Sequence, residues 1–277
     1  MVLAVLLIAL AAGLLGSLFG LGGGIIVIPA LTLALGFGVK EAIGASLVGV
    51  IASSTGAASR YVHEGYANIK LGMLLETATT AGSIIGAFIA IYLDQFFLLL
   101  AFSIILVYSS LHMLVHKERM IAPDSAEAER ELLDLSCQYV DPINGMQVCY
   151  GVKSIRTGML ASLGAGSLSG LLGIGGGVIK VPVMNTFMCV PMKAATATSN
   201  FMIGVTALAS AVIYFRYGYI DPVLGALVAV GVIFGAMVGT RTVDKVQGKS
   251  LRKLFAVVLI AVAILMILKA FGMLEAL

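Results

Sequence analysis

Charge is the scarcest property of this sequence. Asp, Glu, Lys and Arg together make up 11% of its 277 residues, against about 25% in soluble domains. A soluble fold needs a polar skin over much of its surface. Seventeen basic and 14 acidic side chains cannot supply one for a chain of this length. A net charge of +3 also gives no basic footprint for nucleic acid, so no such partner is expected. Tryptophan is absent, and there are three cysteines and three histidines. Cys137 and Cys149 have no adjacent His and no Cys-x-x-Cys spacing, which argues against a zinc site. No Ser/His/Asp set, aspartate pair or His-Glu-x-x-His motif is found. Neither an enzymatic activity nor a metal or cofactor is therefore expected. The first residues lack the positive region of a signal peptide, so the first apolar segment is expected to stay in the mature protein.

Apolar residues and glycine are what the chain has instead, at 60% and 33 residues. Such a composition reads as an all-α polytopic membrane protein. Apolar segments fall at about 2–37, 41–60, 71–93, 96–115, 157–191, 194–215, 222–240 and 254–274. Most approach the ~20 residues a helix needs to cross a bilayer. The first and fifth are too long for one crossing and are interrupted by Gly22-Gly23-Gly24 and Gly175-Gly176-Gly177. Three adjacent glycines weaken any helix, so both segments should break there. Residues 116–156 form the one long polar stretch and read as a linker. Within it 124–135 has the pattern of a short amphipathic helix. Cys137–Val140 and Met146–Tyr150 flank a turn sequence and suggest a hairpin.

A shift of 153 residues aligns the sequence with itself without gaps from Gly13 to Gly86. Gly20-Leu-Gly-Gly-Gly-Ile-Ile-Val-Ile-Pro29 falls on Gly173-Ile-Gly-Gly-Gly-Val-Ile-Lys-Val-Pro182. The same shift pairs Lys40 with Lys193, Ser46 with Ser199, Gly65-Tyr66 with Gly218-Tyr219, and Gly82/Gly86 with Gly235/Gly239. The chain thus divides into a first repeat (1–115), a linker (116–156) and a second repeat (157–277). Lys and Arg mark cytoplasmic loops. The loop between the third and fourth segments has Asp94 and no Lys or Arg in the first half. In the second half it holds Arg241, Lys245, Lys249, Arg252 and Lys253. Opposite charge in equivalent loops argues for inverted-topology repeats, each a glycine-broken, re-entrant hairpin plus three crossings. The linker then lies on the cytoplasmic side, and Lys40 is the charge that fits this topology poorly.

Non-helical backbone at membrane depth is tolerated only beside protein or water. A glycine turn that opens a helix exposes free N–H groups at the positive end of the helix dipole, which suits an anion. Gly22, Gly23 and Gly24 with Gly175, Gly176 and Gly177 are therefore candidate halves of an anion site; tight helix packing is the competing reading. Ser46, Ser53, Ser199, Asn200 and Thr206 are candidate substrate contacts, against a role as polar glue between helices. Gly82/Gly86 and Gly235/Gly239 read as packing notches. Two ionisable residues fall inside apolar segments. Lys180, with Val27 at the equivalent position, would attract an anion; Glu76, with Ala229 as its equivalent, would carry a coupling proton or pair with a cation. An interfacial, snorkelling position is the alternative for both.

The duplicated Gly-Leu-Gly-Gly-Gly-x-x-x-x-Pro29 and Gly-Ile-Gly-Gly-Gly-x-x-x-x-Pro182, each followed by Lys and then a Ser-bearing helix, resemble the TauE/SafE family of sulfite exporters. The resemblance extends over nearly the whole chain, with the linker as its least typical part. It implies transport of a small sulfur-containing or organic anion, such as sulfite, sulfoacetate or a related sulfonate, across a prokaryotic plasma membrane. It also puts both glycine motifs and their prolines at the transport core. The expected function is a secondary transporter working by alternating access, with an uncoupled anion channel of the same substrate class as the alternative. Substrate, direction, coupling ion and oligomeric state are left open by the sequence.

Overall fold

A computed structural model describes residues 2–19, 22–115, 135, 137–140, 147–246 and 249–273. The first half contains α1 (Val2–Phe19), α2 (Gly24–Pro29, continuing as a π-helical turn Ala30–Ala34), α3 (Val39–His63), α4 (Ile69–Tyr92) and α5 (Gln95–Val115). Strands β1 (Cys137–Val140) and β2 (Gln147–Tyr150) follow as an antiparallel pair in which Cys137 faces Tyr150. Then come α6 (Ile155–Leu172), α7 (Gly177–Thr186), α8 (Met192–Arg216), α9 (Pro222–Val246) and α10 (Lys249–Ala270). The amphipathic helix expected at 124–135 lies outside the described residues, except for Leu135.

Among the described residues, four helices, α3, α4, α8 and α9, are long and apolar enough to cross a membrane, with shorter apolar helices beside them. Large apolar side chains such as Leu160, Val212, Val223 and Ile104 lie on the outside, as they do when the solvent is hydrocarbon. The interior instead collects small and hydroxyl-bearing residues, among them Ser46, Ser53, Thr79, Ser83, Ser199, Thr206 and Ser210.

The same local rules start and stop equivalent helices in both halves. Asn68 Oδ1 accepts from Leu71 N at 3.0 Å to open α4. Its counterpart under the 153-residue shift, Asp221, accepts from Val223 N at 2.7 Å to open α9. Gly65 and Gly218 sit just past α3 and α8 with φ of 73° and 76°, the left-handed conformation that closes a helix end.

Partners are exchanged between the halves. α1 packs on α9 and its counterpart α6 packs on α4, while α3 meets α8 and α5 meets α10. The glycine notches form two of these seams. A Cβ on Gly82 or Gly86 would run into the Leu163 or Ser167 carbonyl oxygen of α6. One on Gly235 would do the same to the Leu10 oxygen of α1, and one on Gly239 would meet the Ser17 hydroxyl and the Leu14 oxygen of α1. Backbone rests on backbone at the first three, as the packing reading requires.

Contacts at the helix ends fix how α3 and α8 lie. Lys40, at the start of α3, donates to Ile91 O at 2.7 Å and sits 5.4 Å from the ring centre of Tyr219, just after α8. Lys193, at the start of α8, sits 5.0 Å from the ring centre of Tyr66, just after α3. Each helix thus begins where the other ends. The strand pair covers the Tyr66 end, where Tyr66 packs edge-on against Tyr139 and Asn68 Nδ2 donates to Leu135 O.

Candidate functional site

Both long apolar segments break at the glycines, and each break is a left-handed turn. Gly22 and Gly23 have φ of 72° and 77°, and Gly175 and Gly176 have 78° and 74°. A β-branched residue resists this conformation, whereas glycine adopts it freely. α6 and α7 then form a hairpin whose feet are tied together, because Lys153 N donates to Met188 O at 3.2 Å. The start of α6 and the end of α7 therefore lie side by side. Pro29 and Pro182 lie inside α2 and α7, so each short helix also lacks one main-chain hydrogen bond.

The tips of the two breaks meet at the centre. A Cβ on Gly22 would lie 3.1 Å from Ile203 and 3.2 Å from Val50; one on Gly175 would lie 2.5 Å and 3.1 Å from the same two side chains. Val50 and Ile203 are equivalent under the 153-residue shift and sit midway along α3 and α8. Gly24 is equally confined, since its Cβ would fall 2.6 Å from Gly173 O and 2.7 Å from Ser46 Oγ. Ser46 Oγ bridges the halves by donating to Gly173 O at 2.9 Å. Gly177 opens α7, whose first main-chain hydrogen bonds run from Ile179 N and Lys180 N to Gly176 O. The N–H groups before them lie at the open, positive end of that helix.

Lys180 and Glu76 meet beside this centre. The Lys180 ammonium, 2% exposed, and the Glu76 carboxylate, 8% exposed, form an ion pair at 3.7 Å. Burial this deep rules out the snorkelling alternative. Thr206 links the two: its hydroxyl accepts from Lys180 Nζ at 3.0 Å and donates to Glu76 Oε1 at 2.7 Å. Thr80, one turn along α4, donates to the same oxygen at 3.0 Å. Glu76 Oε2 is buried and has no hydrogen-bond donor. A buried charge pair of this kind costs desolvation, and breaking it by removing one member costs about 3–5 kcal/mol.

The place related to this cluster by the 153-residue shift carries no counterpart. Ser53, the equivalent of Thr206, has a fully buried hydroxyl with no partner, and Val27 and Ala229 are the equivalents of Lys180 and Glu76. Ser199, the equivalent of Ser46, is likewise buried and unpartnered. Asn200 donates through Nδ2 to Thr196 O, while its Oδ1 has no partner.

Among the expected residues, Gly22 and Gly175 meet on Val50 and Ile203, Gly24 lies against Ser46, and Lys180, Thr206 and Glu76 join in one cluster in which Lys180 is the cation beside Glu76. Four residues escaped the sequence reading. Val50 and Ile203 close the space between the glycine turns; the repeat shift pairs them but nothing polar marks them. Thr80 sits four residues after Glu76, the helical spacing of side-chain neighbours. Ser169 lies against Gly176, 3.3 Å from where a Cβ would stand, with a buried, unpartnered hydroxyl; its equivalent is Gly16.

Away from the centre, a cavity of about 310 Å³ lies at the Lys40 end, lined by Glu41, Asp94 and Tyr219 among others. Cys137, Cys149 and Cys189 are free thiols. No cluster of three metal-ligating side chains occurs among the described residues.

A buried ionic cluster beside paired breaks in membrane helices is a transporter-like arrangement, and similarity to known proteins agrees with it. A probable membrane transporter protein of Bacillus subtilis, YunE, is 28% identical over 263 residues, covering 92% of this chain and 93% of that protein. A probable membrane transporter protein of Methanocaldococcus jannaschii is 25% identical, with 92% and 91% covered. One from Xylella fastidiosa is 27% identical, with 98% and 95% covered. No solved structure matches significantly. The family described as Sulfite exporter TauE/SafE matches residues 5–266. With that match spanning nearly all of its length, the chain belongs to the TauE/SafE sulfite exporter family and is a membrane transporter, not an enzyme.

Proposed function

We propose that this protein is a secondary transporter that moves a small sulfur-containing anion, sulfite or a sulfonate such as sulfoacetate, across a prokaryotic plasma membrane by alternating access. The observation that carries the reading is the meeting of two left-handed glycine turns on Val50 and Ile203, midway along the two central helices. Irregular backbone at membrane depth is tolerated only beside protein or water, and paired breaks related by a repeat mark the substrate site in transporters built this way. Two inverted halves, 1–115 and 157–277, joined by a cytoplasmic linker at 116–156, account for the reciprocal end contacts of Lys40 with Tyr219 and Lys193 with Tyr66. The sulfur-containing class comes from the family description. Gly22–Gly24, Gly175–Gly177, Ser46, Ser53, Ser199, Asn200, Thr206 and Lys180 are the proposed substrate contacts, with Glu76 carrying a coupling proton.

The packing in the centre supports a carrier over an uncoupled anion channel. Val50 and Ile203 fill the gap between the turns, and every proposed contact residue is buried. Sealed proteoliposomes separate the two. A carrier gives saturable uptake of sulfite or sulfoacetate and counterflow against an internal load. Uptake that stays linear at millimolar substrate with no counterflow would leave the channel. Cysteines at positions 94 and 245 should be labelled from opposite faces; labelling from one face would end the inverted arrangement.

A further inference from the structure

Resting on the anion-transport reading above, we propose that Lys180 and Glu76 form an exchangeable subsite: an entering anion takes the place of the Glu76 carboxylate opposite Lys180 while Glu76 binds one proton.

The hydrogen bonds divide the pair in a way that permits this. Glu76 is held through Oε1, which accepts from both Thr206 and Thr80. Oε2 faces the ammonium at 3.7 Å, beyond hydrogen-bond reach, and has no donor. A proton delivered from bulk solvent can settle on Oε2 without breaking a hydrogen bond. The ammonium donates to Thr206, and two of its three N–H groups remain for another acceptor.

Charge then enforces the linkage. The cluster as it stands is neutral. An anion placed beside Lys180 while Glu76 is ionised would add a second negative charge to a dry site, and a proton on Glu76 without an anion would leave a buried lysine uncompensated. Each event therefore favours the other by the same factor. No other charge intervenes among the described residues. Lys180 is the ionisable side chain of α7. On the helices packed against α4, the titratable groups are Arg156 on α6 and Lys193, Tyr214 and Arg216 on α8, all in first or last turns. On α4 itself, Lys70 and Tyr92 are also terminal. Val27 and Ala229 leave no second copy of the pair around Ser53, so the stoichiometry is one proton per anion.

Methanesulfonate is a suitable probe because it carries a single negative charge and, unlike sulfite, does not titrate near neutral pH. Calorimetric titration of the purified full-length protein in two buffers of different ionisation heat should show about one proton taken up per methanesulfonate bound. The Glu76→Gln protein should bind methanesulfonate with no proton uptake, and its thermal midpoint should rise when the anion is added. Binding to the wild type without proton uptake overturns the linkage, as does unchanged uptake in Glu76→Gln. Should Glu76→Gln fail to fold, the wild-type proton count decides, together with a Glu76→Gln/Lys180→Met double variant. That variant removes both charges and should fold without binding methanesulfonate; binding by it overturns the proposal. If methanesulfonate, sulfoacetate, sulfite, sulfate and thiosulfate all fail to bind the wild type at millimolar concentration, the anion-transport reading falls, and the linkage with it.

Discussion

The two halves of the molecule share a backbone plan and differ in what fills it. Each has a helix broken by a left-handed glycine turn, a short helix with an internal proline, and a long central helix with a hydroxyl at the same position. Around the second turn that hydroxyl, Thr206, joins a lysine to a glutamate. Around the first, Ser53 has valine and alanine at the corresponding places and no partner at all. The glycines answer a steric demand that applies wherever two backbones meet, so both halves keep them. A charge pair answers an electrostatic demand, and one copy satisfies it. Geometry is duplicated here and chemistry is not.

The most severe test of this contrast is a valine at the turns. Gly23→Val and Gly176→Val each force a β-branched residue into positive φ, with a Cβ 2.9 Å from a carbonyl oxygen of α1 or α6. Both should abolish sulfite transport in proteoliposomes while membrane insertion persists. Normal transport by either variant would remove that turn from the site. Next in size is Lys180→Met, which leaves Glu76 buried without its partner. Chemical unfolding in detergent should show a loss of about 3–5 kcal/mol, whereas Val27→Met at the equivalent position should cost far less. Equal losses would mean the halves do not differ electrostatically.

Thr206→Val should cost about 1–3 kcal/mol by stripping one hydrogen bond each from Lys180 and Glu76. Ser53→Ala deletes a hydroxyl that bonds to nothing and should leave stability unchanged or slightly raised. The finest comparison is between the two equivalent serines. Ser46→Ala should cost about 1 kcal/mol through loss of its bond to Gly173 O. Ser199→Ala should spare the unfolding midpoint and weaken sulfite affinity. Unaltered affinity would assign Ser199 to packing.

Much of this layout can be read from the letters because the repeat shift carries the local signals with it. Asn68 and Asp221 as caps, Gly65 and Gly218 as helix ends, and the two triple-glycine breaks all act on their own immediate neighbours, so their sequence context is sufficient. The pairing of Glu76 with Lys180 is different. The repeat maps each onto an apolar residue, and the two belong to elements far apart in the chain, so only the packing of α7 between α6 and α8 brings them together. The exchange of partners between halves was also hidden. In a membrane helix both the buried and the lipid-facing sides are apolar, and the periodicity that reveals the inner face of a soluble helix is weak.

The glycine seams have a mechanical consequence. Where Gly82 and Gly86 lie on α6, and Gly235 on α1, main chain meets main chain and no rotamer is available to absorb a displacement. These seams behave as welds, while the α3–α8 contact is made by side chains, with Val50 and Ile203 at its middle and Ser54 Oγ donating to Asn200 O and accepting from Gly204 N. Under the alternating-access reading proposed above, a motion that respects the welds would carry a hairpin of one half together with a long helix of the other. The bodies that move would then be assembled across the duplication, and neither half would move as a piece.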